Sequence, residues 1–183
     1  LNPKNNSLPR RNLYLIGFMG TGKTAVGEMT AKKLGLRFVD SDHEIARKQG
    51  REISTIFEQS GEKRFREMEM EFIVGGHPEH GCLVSCGGGL PVAEGMLELL
   101  KRRGMVITLW ADPETIYQRT KDNSTRPLLQ VDDPLREITD LLASREATYL
   151  AADQVISTET RSAKVVSKLV ARSYEEHHPP QEN

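Results

Sequence analysis

A three-layer α/β/α sandwich, with a five-stranded parallel sheet between two layers of helices, is the fold this chain predicts. Three observations carry that reading. Short apolar runs alternate with amphipathic helical stretches, the sequence form of repeated βαβ units whose sheet is buried on both faces. Each apolar run is followed by a Gly-rich loop, an acidic residue or a helix-start signal. No repeat at periods of about 20 to 50 residues and no low-complexity linker divides the chain, so one domain over residues 1–183 is expected. A chain of this length buries well over half its surface and builds a sizeable core.

The strands are expected at Leu13–Gly17, Arg37–Asp40, Cys82–Cys86, Met105–Trp110 and Gln154–Ser157. The first runs through a glycine-rich turn into a helix carrying Val26, Met29 and Leu34. Later helix starts stand at Asp112-Pro113 and Asp133-Pro134. Each places a capping carboxylate before a proline, whose missing N–H costs nothing in a first helical turn. Between them, Lys121 to Asp132 has no hydrophobic period and is rich in Asp, Asn, Ser, Thr and Pro, which reads as a mobile lid over about 119–132. The core is expected over about 12–174. The polar ends, 1–11 and 175–183, are expected to fray, and the first, lacking Met, reads as a trimmed start.

Charge and composition exclude several function classes. Charged residues make up 28% and the net charge is -1, so no basic field exists to hold nucleic acid or an anionic membrane. The longest apolar stretches, such as Leu13 to Ile16, fall far short of a membrane helix, and the polar start resembles no signal peptide, so a cytoplasmic protein is expected. With a single tryptophan, Trp110, and no aromatic-basic stripe, nucleic-acid binding has little support. The two cysteines, Cys82 and Cys86, sit close together on one buried strand, and a disulfide framework is not expected. His77-Pro78-Glu79-His80-Gly81-Cys82 imitates zinc-ligand spacing but lacks a compact set of four ligands, and a solvated loop is the expectation there.

The chemistry begins at Gly17-Phe18-Met19-Gly20-Thr21-Gly22-Lys23-Thr24, a Gly-x-x-x-x-Gly-Lys-Thr motif set between a strand and a helix, as a P-loop requires. Glycines let the backbone turn and aim N–H groups at phosphates, while the helix N-terminus adds positive potential. Lys23 supplies a mobile charge, and the hydroxyl of Thr24 is a ligand for Mg²⁺ bridging the β- and γ-phosphates. A merely structural glycine turn does not call for Lys-Thr in register.

Four further constellations choose among P-loop enzymes. Asp40-Ser41-Asp42 ends the second strand with two carboxylates at i and i+2: Asp40 is placed to hold a magnesium-bound water, and Asp42 to bind an acceptor hydroxyl and take its proton. A helix cap is the alternative for Asp42. Arg66 and Glu69 are i, i+3 neighbours on a helix, either a guanidinium held ready for a substrate carboxylate or a surface ion pair. Gly87-Gly88-Gly89 closes the third strand without side chains, so that Gly88 can offer its N–H, or else the loop is a flexible turn. The lid carries Arg119 at its start and Arg126 in Thr125-Arg126-Pro127-Leu128-Leu129, and the next helix carries Arg145-Glu146-Ala147-Thr148-Tyr149. Lid closure excludes water, a competing nucleophile, and delivers Arg126 to the transferring phosphoryl group.

Together these elements resemble the shikimate kinase family, of the nucleoside-monophosphate-kinase-like branch of P-loop folds, from about Asn12 to Tyr174. The resemblance implies a P-loop kinase fold with a mobile lid and a substrate-binding helical region at about 42–75. It implies transfer of the ATP γ-phosphoryl group, with Mg²⁺, to the 3-hydroxyl of shikimate by a monomeric enzyme. Carried over by position, Gly20, Thr21, Gly22, Lys23, Thr24 and Ala25 surround the phosphates, Asp40 lies near magnesium, Arg126 sits on the lid and Arg119 lies beside the adenine. Asp42 binds the ring hydroxyls, Arg66 and Arg145 clamp the carboxylate, Gly88 adds a backbone donor, and Phe57 and Phe65 wall the ring. Lys23, Asp42 and Arg126 are then the catalytic residues. After the last strand the chain reads Thr160-Arg161-Ser162-Ala163 where the family commonly has a proline, so Arg161 is a weak adenine contact. The competing readings are a gluconate or nucleoside-monophosphate kinase, against which Asp-Ser-Asp with Gly-Gly-Gly argues, and a catalytically silent relative.

Overall fold

The computed structural model describes residues 10–122 and 131–177. Arg126, with Thr125 and Pro127 to Leu129, and most of the expected lid therefore lie outside the described residues, as do 1–9 and 178–183.

Strands β1 (Asn12–Ile16), β2 (Arg37–Asp40), β3 (Cys82–Ser85), β4 (Gly104–Trp110) and β5 (Gln154–Ser157) form one sheet in the order β2-β3-β1-β4-β5, and every pairing is parallel. In the register of central β1, Leu13 stands beside Leu83 on one side and Met105 on the other. Helices α1 (Lys23–Leu34), α2 (Ser41–Gln49), α3 (Ile53–Gly75), α4 (Met96–Arg103), α5 (Pro113–Thr120), α6 (Pro134–Leu150) and α7 (Ala163–His177) cover it. The expected three-layer architecture is present.

Strand periodicity divides the core in two. Leu13 and Leu15, with Leu83, Met105 and Ile107, pack against Val26 and Leu34 of α1 and Val166 and Val170 of α7. Tyr14 and Ile16, with Val84 and Val106, face Phe72, Leu97, Leu100, Ile138 and Leu142 from α3, α4 and α6. Because α1 follows β1 on one face and α4 follows β3 on the other, the chain diverges at the carboxyl ends of two adjacent strands. That divergence opens a crevice where ligands bind in such sheets.

Local chemistry sets the element ends. Asp112 accepts from Thr115 N–H at 2.6 Å and Asp133 from Arg136 N–H at 3.1 Å, so both aspartates cap their helices as the Asp-Pro pairs predict. The helical region expected at about 42–75 comprises α2 and α3, and α3 breaks at Gly61, whose φ of 75° and ψ of 167° suit glycine alone.

Met29 lies on α1 as expected, but it is 46% exposed, off the buried stripe that runs through Val26, Gly27, Thr30, Ala31 and Leu34. Gly27 lies in that stripe because a Cβ there would meet the Phe38 ring at 2.7 Å. The loop before β3 is not wholly solvated, since His77 is 8% exposed, its ring packed near those of Tyr14 and Phe72 with Nε2 3.4 Å from the Tyr14 hydroxyl. Burial holds its pKa below the ordinary histidine value. The polar ends also contribute contacts: Arg11 bridges His80, Arg10 donates to Leu34 O, Tyr174 donates to Arg11 O at 2.5 Å, and α7 continues to His177. Cys82 and Cys86 are free and buried, and no helix among the described residues is long and apolar enough to cross a membrane.

Candidate active site

The turn from β1 into α1 needs its glycines. Gly20 and Gly22 have φ of 75° and 90°, and a Cβ on Gly20 would meet Thr120 Cγ2 at 2.7 Å. Thr21 turns inward, its hydroxyl donating to Phe18 O at 2.8 Å. Lys23 folds over the turn and donates to the carbonyls of Gly17 at 2.8 Å and Phe18 at 2.9 Å. The result is a glycine turn at the mouth of a helix with a lysine folded over it, the form of an anion cradle.

Beside it, Thr24 Oγ1 donates to Asp40 Oδ2 at 3.3 Å. The other oxygen of Asp40 accepts from the N–H groups of Asp42 and His43, so the cap of α2 is Asp40, and Asp42 is left to face the crevice. Among the described residues no group of three or more His, Cys, Asp or Glu is arranged to hold a metal by itself. A hydroxyl and a carboxylate beside a phosphate cradle nevertheless fit Mg²⁺, which takes hard oxygen ligands, keeps several waters and completes its shell with phosphate.

The glycines after β3 are packed against the groups that flank the crevice. A Cβ on Gly87 would fall 2.5 Å from Asp42 Oδ1 and 3.1 Å from Glu69 Oε1, one on Gly89 would overlap the Arg66 guanidinium, and one on Gly88 would lie 3.6 Å from Gly17 O of the phosphate loop. These contacts exclude the flexible-turn reading: a side chain at Gly87 displaces the carboxylates and one at Gly89 displaces the arginine. Ser41 Oγ accepts from Gly87 N at 2.9 Å and lies 3.5 Å from Asp42 Oδ1, linking the acidic turn to this loop. Burial, then the neighbouring charge of Asp40, raises the pKa of Asp42, against opposing effects of Lys23, Ser41 and Arg66.

Arg66 donates to Glu69 Oε2 at 2.7 Å and to Glu62 Oε1 at 2.9 Å. Glu69 is 1% exposed, so the pair is no surface ion pair, and Glu69 Oε1 has no hydrogen-bond partner among the described residues. Burial, and the negative charge of Asp42, push Glu69 up to about 7 while Arg66 and Arg145 oppose the shift. The folded state thus holds this proton more tightly than the unfolded chain, whose glutamate titrates near 4.5. The stability that Glu69 contributes is full below pH 4.5 and lost as pH rises to about 7 and beyond. Glu69→Gln is expected to gain up to about 3 kcal/mol relative to the original chain between pH 4 and pH 8 in urea unfolding. Parallel pH curves for the two proteins would show that Glu69 is not a buried, reluctant acid.

Gly20, Gly22, Lys23, Thr24, Ala25, Asp40, Asp42, Gly88 and Arg119 line one cleft of about 390 Å³. Arg119 joins the phosphate loop to the segment after β5, donating to Gly20 O at 3.3 Å and to Thr158 Oγ1 at 2.9 Å. Arg161 turns back onto Ser157 O at 2.8 Å. Arg66 and Arg145 stand just outside this lining, the first against Gly89 and the second over the Phe18 ring at 5.8 Å. Phe57 and Phe65 are brought together, ring centroids 4.6 Å apart. Sequence reasoning assigned no role to Ser41 or Tyr149. The Tyr149 hydroxyl donates to Gly88 O at 2.7 Å, and its i, i+4 spacing from Arg145 was the available signal.

The model of the family described as "Shikimate kinase" matches residues 19–174. A shikimate kinase of Thermodesulfovibrio yellowstonii is 42% identical over 165 residues, 90% of this chain and 95% of that protein. Among solved structures, the shikimate kinase of Acinetobacter baumannii in complex with shikimate superposes with a TM-score of 0.87 at 37% identity, covering 93% of this chain and 96% of that one. A gluconokinase of Sinorhizobium meliloti shares the fold alone, with a TM-score of 0.62 at 12% identity over 94% of this chain and 95% of that one.

Proposed function

The chain belongs to the shikimate kinase family, and from that premise we propose that it transfers the γ-phosphoryl group of ATP to the 3-hydroxyl of shikimate, giving shikimate 3-phosphate and ADP on the route to chorismate and the aromatic amino acids. The observation that carries the reading is the position of the triglycine loop. Its first glycine abuts Asp42, its second the phosphate loop and its third Arg66, so an acceptor held by Asp42 and Arg66 lies next to the phosphates.

In this reading Lys23 and the N–H groups of Gly20 to Ala25 hold the phosphates, and Arg119 lies beside the adenine. Thr24 and Asp40 would hold Mg²⁺, which would supply positive charge to the phosphates. Asp42 orients the 3-hydroxyl and takes its proton as the oxygen attacks phosphorus in line. Arg66 and Arg145 hold the carboxylate away from the bond being made, Gly88 adds its N–H, and Phe57 with Phe65 walls the ring. Arg126, on the lid, completes the charge around the transferring group.

The test is ADP release with ATP·Mg²⁺ and, separately, shikimate, gluconate, AMP or CMP. Turnover is expected with shikimate alone. Turnover on one of the others with none on shikimate overturns the assignment, and ATP binding with no acceptor-dependent ADP release favours a silent relative. In the same assay Arg66→Ala and Arg145→Ala are each expected to raise the shikimate KM about 10- to 100-fold, the loss of a charge-assisted pair, with a smaller change in kcat. Unchanged shikimate affinity in both variants removes the clamp.

A further inference from the structure

Tyr149 is fully buried in the core of the face that holds α3, α4 and α6, and its hydroxyl reaches the triglycine loop after β3. There it donates to Gly88 O at 2.7 Å. Burial raises the pKa of the phenol, which keeps its proton and remains a donor. Arg145 stands one helical turn earlier on α6, and its charge opposes the rise in the phenol's pKa.

The ring is itself fixed. The Thr108 hydroxyl donates to Tyr149 O at 2.5 Å, anchoring this turn of α6 to β4. On the glycine side, Leu90 N donates to Gly87 O at 3.1 Å, and Tyr149 holds the next carbonyl along. In a trans peptide the carbonyl and N–H point in opposite directions, so pinning the carbonyls of Gly87 and Gly88 aims the N–H groups of Gly88 and Gly89 away from the two anchors. The loop has no side chain of its own, so it is held by these anchors together with the Ser41 bond to Gly87 N and the packing of Asp42 and Arg66.

We propose that Tyr149 is a positioning residue for the acceptor, its hydroxyl fixing the backbone of the triglycine loop at Gly88 beside the helix turn that carries Arg145. The inference rests on the shikimate kinase reading and extends it to a residue that does not touch the reacting atoms. It predicts a defect confined to one substrate: without the hydroxyl, the acceptor's donors lose register, while the phosphate loop, held by Lys23 and Thr21, is untouched.

Tyr149→Phe keeps the buried ring and removes one oxygen. Steady-state kinetics with the original protein alongside should show the shikimate KM raised about tenfold, the magnitude of one hydrogen bond to a charged or desolvated group, with the KM for ATP unchanged. Shikimate should also lose much of its stabilising effect on thermal unfolding, while ATP·Mg²⁺ retains its own. If Tyr149→Phe does not fold, Tyr149→Met, flexible and apolar, carries the same expectation. A shikimate KM equal to that of the original protein, or equal losses toward both substrates, overturns the proposal and leaves Tyr149 a core residue. An original protein with no turnover on shikimate sinks the function reading instead, and the two failures are distinguishable within one experiment.

Discussion

Lys23→Ala is expected to lower kcat/KM by about three orders of magnitude while leaving shikimate affinity close to its original value. Removing a single preorganised donor from developing charge costs roughly 10²- to 10³-fold in rate, and a full positive charge stands at the upper end. The geometry shows why the effect concentrates there. Lys23 is the first residue of α1, and its ammonium lies 2.8 and 2.9 Å from the carbonyls of Gly17 and Phe18, held over the loop that receives the phosphates. An ammonium has three donors on a flexible stem, so it can exchange carbonyl partners for phosphate oxygens without moving the helix. The stability cost should be small, about 1 kcal/mol for the lost ties, because alanine is well tolerated near a helix start. Steady-state kinetics and thermal unfolding separate the two effects: a loss of less than tenfold in kcat/KM, with the fold intact, removes Lys23 from the transfer step.

The phosphate loop was readable because its chemistry is local. Gly20, Gly22, Lys23 and Thr24 act through backbone conformation and spacing, which a strand-turn-helix pattern reports directly. The five strands were readable because each is a short apolar run buried on both faces, as parallel sheets require. Burial of single polar residues was not. Taken alone, the pair Arg66 and Glu69 reads as a surface ion pair, and what decides against that is the packing of Gly87 and Gly89 against those two side chains from another strand's loop. In sequence Asp42 could be a helix cap instead of a base, and the helix start at Ser41 makes Asp40 the cap. Tyr149 carried no role in sequence, because the partner of its hydroxyl lies 61 residues away in the chain.

Asp42→Asn is expected to lower kcat by about 10²- to 10⁴-fold, the range in which a positioned general base contributes. Asparagine matches the shape of aspartate, and Ser41 still finds an oxygen at the same place, so what is removed is the negative charge and the capacity to take a proton. The pH profile should change with it. Burial and the charge of Asp40 hold the Asp42 pKa above 3.8, so kcat/KM in the original protein should climb with pH through an ionisation lying above the ordinary aspartate range, and the variant should lose that limb. Stability should move the other way. A carboxyl whose folded pKa is raised contributes stability that is lost as pH rises through that pKa, so at neutral pH the charged side chain opposes folding. Asp42→Asn should therefore be at least as stable as the original chain at pH 7 while nearly inactive. A rate loss accompanied by an equal loss of stability would make Asp42 structural. Activity lost with stability kept is the signature of a carboxylate held in an unfavourable place, close to Asp40 and the buried Glu69, because the reaction needs a base there.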